Sequence, residues 1–507
     1  MKERLEDLTA VVVIGTAVAV GAKRLNIPFN VVLVVAGLLG ALLHLVPHVT
    51  MDPELVLLVF LPILVFEGAL FADSSHLGRE VKPIFALAIP GVAISLLTTA
   101  AVATFELSMP FALALLLGAL LSITDTVSVL LAFRSERVPH RLTSIMEGES
   151  LFNDGTALVL VSLTSAVVAS GKFSALDASR SLVLATVGGA ALGGAAGALG
   201  AVALRNTPDH LTTILASLGL AFATSLVAEH FHASPVIAVV VAGMIVGNAA
   251  RDSLGPSRVL ALHSFWETAG FVVNVFLFLL VGMQLNAQVL LQESLSIFLA
   301  LIALHAGRAV AVYGCFGLMN LVSREPVPAR FQHVMVFGNI KGALSMAAVL
   351  ALPAALPGRD RLVAIVFGVT LITLLTQALP FRWFLRKMRV VLEASDQQLD
   401  DAKANLVQAR RGQVELDELL HAGLLSRMDH AERHSSFQRK IIEAEKTIRA
   451  LSTSDSDHPI EQALLLSQKA ALLDAARRGL VSSEAVTHHT SKLDEQLISL
   501  NASSKDH

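Results

Sequence analysis

Residues 141–170 read RLTSIMEGESLFNDGTALVLVSLTSAVVAS. A hydrocarbon core about 30 Å thick is crossed by roughly 20 residues of helix, so this stretch can span it. Two carboxylates, Glu149 and Asp154, lie inside it. A charge at the bilayer centre costs about 2.5–3.5 kcal/mol even on the lenient insertion scale, so such acids persist for pairing or for function. On a helix Ser150 and Asp154 share one face, as do Glu149 and Asn153. Glu149 and Asp154 are offset by about 140° at roughly 100° per residue, and can serve different partners, one structural and one exchanging. Carboxylate, hydroxyl and backbone carbonyl oxygens together suit a hard cation.

The rest of the chain agrees with a membrane setting. Of its 507 residues 54% are apolar and 16% charged, against about 25% charge in a soluble domain. This excludes a soluble enzyme, a disordered chain and a secreted disulfide scaffold. The formal net charge of −3 suggests no polyanion partner such as nucleic acid. Cys315 is the single cysteine, so there is no disulfide framework and no thiolate metal site. The opening MKERLEDLTAVVVIG has acids before its apolar run and no clear cleavage site, and reads as a first membrane helix. Thirteen candidate spans follow from hydropathy: 8–22, 28–46, 53–71, 82–104, 109–133, 141–170, 180–203, 211–229, 234–250, 262–284, 294–321, 330–354 and 361–382.

Twelve Lys and Arg residues fall in or beside the odd-numbered connections and four in the even ones. Basic connections face the cytoplasm, which predicts an external N-terminus and a cytoplasmic C-terminus. Candidate 5 is interrupted at Ser122-Ile123-Thr124-Asp125-Thr126 and candidate 12 at Gly338-Asn339-Ile340-Lys341-Gly342. They are seven spans apart and therefore antiparallel, the pattern of an inverted-repeat transporter. The expected fold is an all-α polytopic membrane protein of about 13 helices, with inverted repeats and two broken crossing helices. Gly189, Gly193 and Gly197 form small-xxx-small steps for close packing. We divide the chain into a transmembrane domain, 1–385, and a cytosolic helical tail, 386–507, either regulatory or dimerising or merely solvated. The tail's Leu416, Leu419, Leu420 and Leu424 recur with helical period, and Ser452–Asp457 is the expected turn between two helices.

Six charges lie inside spans: Glu67, Asp125, Glu149, Asp154, Arg308 and Lys341. Four acids against two bases leave two carboxylates for a cation or a proton. His44, His230, His232, His263 and His305 are scattered near span ends without zinc-type i, i+4 pairs, and read as packing.

Glu149-Ser150-Leu151-Phe152-Asn153-Asp154-Gly155-Thr156 resembles the signature of sodium/proton antiporters of the monovalent cation:proton antiporter-1 family. Phe60-Leu61-Pro62, Phe66-Glu67-Gly68-Ala69, Thr124-Asp125, Phe278–Met283 and Arg308 agree with it, over about three quarters of the chain. The resemblance implies that Asp154 binds sodium or a proton alternately, supported by Asn153, with Ser150, Glu67 and the Thr124 backbone as further oxygen ligands. It implies a structural Glu149–Arg308 salt bridge, and charge compensation of the helix crossing by Asp125 and Lys341. It also implies a homodimer in the plasma membrane and no cofactor beyond the transported ions. Two positions depart from the family pattern: Lys341 stands where an arginine is usual, and Thr126 where a proline is common.

Partial desolvation disfavours a bare carboxylate, so sodium and proton compete for Asp154. If the protein reorients only when that charge is neutralised, exchange is obligate. With Asn153 uncharged, one sodium is expected per proton, electroneutrally and without enzymatic chemistry. The alternatives are a potassium/proton antiporter of the same fold, a channel, and an intramembrane aspartyl protease built on Asp125 and Asp154. The protease lacks a Gly-x-Gly-Asp pattern and leaves Arg308 and Lys341 without a role.

Overall fold

The computed structural model describes residues 14–18, 20–21, 29–43, 56–171, 175–284, 287–323, 325–391, 394–451, 465, 489–490 and 492–493. These residues are helical throughout their regular structure. The first candidate span and the Ser452–Asp457 break lie largely or wholly outside them. The other twelve candidates each correspond to a helix or a broken helix.

The membrane helices run α1 (Phe29–Leu42), α2 (Val56–Phe71), the short α3 (Ser74–Arg79), α4 (Val81–Glu106), α5 (Phe111–Ser122), α6 (Thr126–Glu136) and α7 (His140–Ser170). They continue as α8 (Ala175–Arg205), α9 (His210–His230), α10 (Pro235–Ser253), α11 (Pro256–Met283), the short α12 (Ala287–Gln292) and α13 (Ser294–Val322). The last are α14 (Ala329–Phe337), α15 (Ala343–Leu350), α16 (Arg359–Ala378) and the short α17 (Phe381–Lys387). Eight of them are long and apolar enough to cross a bilayer singly. α5/α6 and α14/α15 each cross as a pair of half-helices.

Local chemistry sets several ends. Asp209 caps α9 by accepting from the Thr212 amide at 2.9 Å. That bond and the Thr212 hydroxyl hold its carboxyl below the usual carboxylate range. Ser234 precedes Pro235 at the start of α10, donor-free proline at the first helical position being no loss to the ladder. α4 and α16 each contain a π turn, at Leu87–Gly91 around Pro90 and at Leu374–Ala378; the proline cannot donate, and the wider turn absorbs the missing bond.

Two groups of helices emerge from the packing. α4, α7, α13 and α16 gather around the broken pairs α5/α6 and α14/α15, while α1 and α2 lie against α10 and α11, with α8 and α9 outside. The first group is two three-span units, α4–α5/α6–α7 and α13–α14/α15–α16, each with a broken middle member.

Glycine lets α8 approach α10 closely. A Cβ on Gly189 would meet Ser234, one on Gly193 the backbone of Ala238, and one on Gly197 that of Ala242. The partners advance by one turn as the glycines do, so the two backbones run in contact over two turns. In a bilayer, where lipid is as apolar as any side chain, such close contact supplies the association.

The division into compact units falls after Val391. α17 belongs to the membrane unit: Arg386 makes a bidentate bridge to buried Glu136 at the end of α6, at 2.6 and 2.8 Å. Phe381 stacks between Phe133 and Phe337, and Phe384 lies 4.1 Å from Phe337, centroid to centroid. The second unit contains a helical hairpin, α18 (Ala394–His421) and α19 (Arg427–Leu451). Its turn comes at residues 422–426, with Gly423 at φ 73°; the serine-rich break expected at Ser452–Asp457 lies outside the described residues. A positive φ is what glycine supplies there. Leu416 is buried in the hairpin and Leu424 is exposed in the turn.

Gly193→Val is expected to force α8 from α10 and to cost at least about 1–3 kcal/mol, seen as a lower midpoint of thermal unfolding in detergent. Gly194, whose Cβ position faces open space, should accept valine with little change.

Candidate functional site

A helix broken in a membrane leaves backbone donors and acceptors without their ladder, and no water reaches them there. Here each break satisfies the other. The Asp125 amide donates to the Ile340 carbonyl at 2.8 Å. The Ile123 carbonyl accepts from Lys341 Nζ at 3.0 Å and from Ser345 Oγ at 3.2 Å. The Lys341 amide donates to Thr373 Oγ1 at 3.1 Å, and Asn153 Nδ2 donates to the Ser122 carbonyl at 3.0 Å. Gly342 is packed so tightly on Asp125 that a Cβ would lie 2.7 Å from that residue's own Cβ.

The charges follow the half-helix dipoles. Lys341 is fully buried and lies at the carbonyl end of α5, where the dipole is negative; its second partner is Asn339 Oδ1 at 2.8 Å. Asp125 occupies the N-cap position of α6, the positive end, and accepts from Ser128 Oγ at 2.5 Å. Ser128 in turn accepts from Asn30 Nδ2 at 3.1 Å. Lys341 thus serves carbonyl and amide oxygens rather than a carboxylate, so the simple matching of two bases to two acids does not hold.

Arg308 does meet an acid. Its Nη1 and Nη2 donate to Glu149 Oε1 and Oε2 at 2.7 and 2.9 Å, and its Nε to the Met335 carbonyl at 3.2 Å. Both side chains are buried, Glu149 at 2% and Arg308 at 6% exposure. This fork joins α7, α13 and α14, and the planar guanidinium fits it as an ammonium would not.

Asp154 lies on the other side of α7, lining a cavity of about 270 Å³ together with Glu67, Thr124, Asp125, Ser150 and Asn274. The Thr124 backbone N–H faces its carboxylate. Its Oδ1 is buried and has no hydrogen-bond partner among the described residues. Asn153, next to it, is occupied by Ser122 and by Thr124 Oγ1 at 3.3 Å, which ties α7 to the break beside the carboxylate. The structure therefore gathers Glu67, Thr124, Asp125, Ser150 and Asp154 around one cavity, with Asn153 behind it and Glu149, Arg308 and Lys341 outside the lining.

Several participants escaped the sequence reading. Thr373, Ser345 and Asn339 complete the crossing, and Asn274 lines the cavity. All are uncharged, and a search for charges inside spans passes over them; an amide within FVVNVFLF was the visible signal. His305 is a correction. It sits in the middle of α13 rather than near an end, bonded through Nδ1 to the Leu301 carbonyl at 2.8 Å and through Nε2 to Gln377 at 2.5 Å. The helix runs on past it because its polar ring edge finds partners inside the bundle.

Comparison with known proteins gives a consistent result. The family described as sodium/hydrogen exchanger, transmembrane, matches residues 9–387. The Na(+)/H(+) antiporter NhaS2 of Synechocystis is 37% identical, over 98% of this chain and 94% of its own length. The antiporter ApNhaP of Aphanothece halophytica is 35% identical, over 77% and 76%. Among solved structures, the sodium proton antiporter MjNhaP1 of Methanocaldococcus jannaschii superposes with a TM-score of 0.65 at 18% identity, covering 76% of this chain and 98% of that one.

Glu149→Gln should cost about 3–5 kcal/mol by stranding a buried guanidinium, read as a large drop in thermal stability in detergent. Pairing it with Arg308→Met should recover much of that loss. An unfolding midpoint equal to wild type in the single variant would remove the bridge from the structural account.

Proposed function

Since the chain belongs to the sodium/hydrogen exchanger family, we propose that it exchanges sodium or lithium for protons by alternating access, one for one and without net charge movement, at Asp154. The observation that carries this reading is the Asp154 carboxylate itself. It lines the cavity, keeps one oxygen without a donor, and sits where two helix breaks meet. A sodium ion and a proton both neutralise a carboxylate, and each excludes the other. The bare anion is the form least able to cross an apolar barrier, so reorientation is confined to the loaded states.

Ser150 and Glu67 supply further oxygens from α7 and α2, and the Thr124 backbone orients the carboxylate. Asn153 contributes no titrating charge, and Glu149 is neutralised in place by Arg308. With Asp154 taken as the one carboxylate that changes protonation per cycle, the stoichiometry is one to one. Asp125 and Lys341 stabilise the half-helix ends so that the bundle carrying them moves as a body.

The same reading sets the protein in the plasma membrane with its C-terminus in the cytoplasm, following the basic connections. Residues 1–385 carry transport and 386–507 act as a regulatory cytosolic tail. The homodimer rests on the family resemblance alone.

Asp154→Asn in proteoliposomes should abolish sodium-driven proton movement while leaving the protein folded. Exchange that persists at the normal rate refutes the assignment; a response to potassium alone replaces sodium as the substrate. Asn153→Asp adds a second titrating carboxylate, and turnover should then respond to a potassium–valinomycin potential to which the unmodified protein is indifferent.

A further inference from the structure

The α11 wall of the cavity carries a polar group that the reading above does not use. Asn274 is 7% exposed and lines the cavity. Its Nδ2 donates to the Gly270 carbonyl, one turn back on the same helix, at 3.0 Å. A carbonyl accepts and cannot donate, so the nitrogen must face Gly270 and the side-chain oxygen must face away from it. Among the described residues none donates to that oxygen. It is a neutral oxygen, with its amide held by that bond, on a residue that lines the cavity.

Gly270 matters for a second reason. A Cβ there would fall on the Glu67 carboxylate, which is therefore seated directly against the α11 backbone. Gly270 and Asn274 are four residues apart and share a face. The Glu67 carboxylate and the Asn274 oxygen thus meet the cavity along one strip of α11, within a single turn. Glu267, three residues before Gly270, lines the same cavity, as does Glu147 of α7. The strip leads with acids and ends in an amide oxygen.

We propose that Asn274 Oδ1 is a ligand of the transported cation, forming with the Glu67 carboxylate a binding position for a hard monovalent cation on the α2/α11 wall, beside Asp154. An amide carbonyl is a good oxygen ligand for such an ion. It does not take up a proton at any physiological pH. Asp154 accepts either guest, whereas Asn274 favours the cation alone, so it raises cation occupancy without strengthening the competing proton. Gly270 is the positioning residue that leaves room for the carboxylate.

This inference rests on exchange at Asp154, and the experiment separates the two. Full-length protein in proteoliposomes is titrated with sodium and with lithium while proton movement is followed, for the unmodified chain, Asn274→Ala, Asn274→Asp, Gly270→Ala and Asp154→Asn. Loss of a ligand to a charged group should raise the sodium KM of Asn274→Ala about tenfold or more with kcat retained. Asn274→Asp keeps an oxygen in reach and should return KM at alkaline pH toward that of the unmodified protein. Because this variant adds a proton competitor, its KM should also climb more steeply on acidification. Gly270→Ala, which unseats Glu67 while Asn274 remains, should raise KM as well. A sodium KM for Asn274→Ala within about twofold of normal, or a fall in kcat with KM unchanged, overturns the proposal. If Asn274→Ala does not fold, an unchanged KM in Gly270→Ala together with an unaltered pH profile in Asn274→Asp overturns it equally. Exchange surviving in Asp154→Asn would sink the reading of the site itself; unchanged KM beside an inactive Asp154→Asn sinks this inference alone.

Discussion

Inside a bilayer a backbone N–H or C=O has no water to fall back on, and each unsatisfied group costs several kcal/mol. Two interrupted helices at the same depth are tolerable here because the residues of one break answer those of the other. Asp125 N–H reaches Ile340, and Lys341 Nζ and Ser345 reach Ile123. Asn153 and Thr373 close the remaining gaps from α7 and α16. The crossing is therefore a mutual arrangement of four elements. Remove one partner and an orphan appears in another helix.

That arrangement also explains how the carboxylates divide their duties. Glu149 and Asp154 are five residues apart on one helix, and the helical offset turns them to different environments. Glu149 meets a guanidinium fork in the packed interior, where its charge is held fixed. Asp154 meets a cavity, a backbone amide and the crossing, with one oxygen unpartnered. A charge answered by Arg308 is structural. A charge that faces a cavity has room for a counter-ion or a proton beside it.

Close backbone contacts and side-chain contacts are likewise segregated. The glycine seam between α8 and α10 brings backbones together and leaves little freedom to slide. The cavity is instead lined by side chains, among them Glu67 of α2, Asp154 of α7 and Asn274 of α11. On the far side, α17 is pinned to α6 by the Arg386–Glu136 bridge and to α14 by stacked phenylalanines. The segment that leaves the membrane unit is thus attached to both broken helices.

Much of this was legible from the order of residues. Hydropathy sets the spans because a helix must carry about 20 apolar residues to cross. Acids inside such runs mark the site because their cost demands a reason, and the Ser122–Thr126 and Gly338–Gly342 interruptions mark the breaks. What the sequence could not supply was partnership. Lys341 reads as compensation for a half-helix dipole, but not as a donor to the Ile123 carbonyl; His305 reads as peripheral and is bonded within the bundle. The hairpin turn at Gly423 between α18 and α19 was not read from the sequence. Asn274, being neutral, gave no sign beyond its polarity. Periodicity and cost per residue are local properties, so one chain read in order contains them. Which carbonyl receives an ammonium, and which amide oxygen is left facing a cavity, depends on residues up to 222 positions apart, and folding alone brings those together.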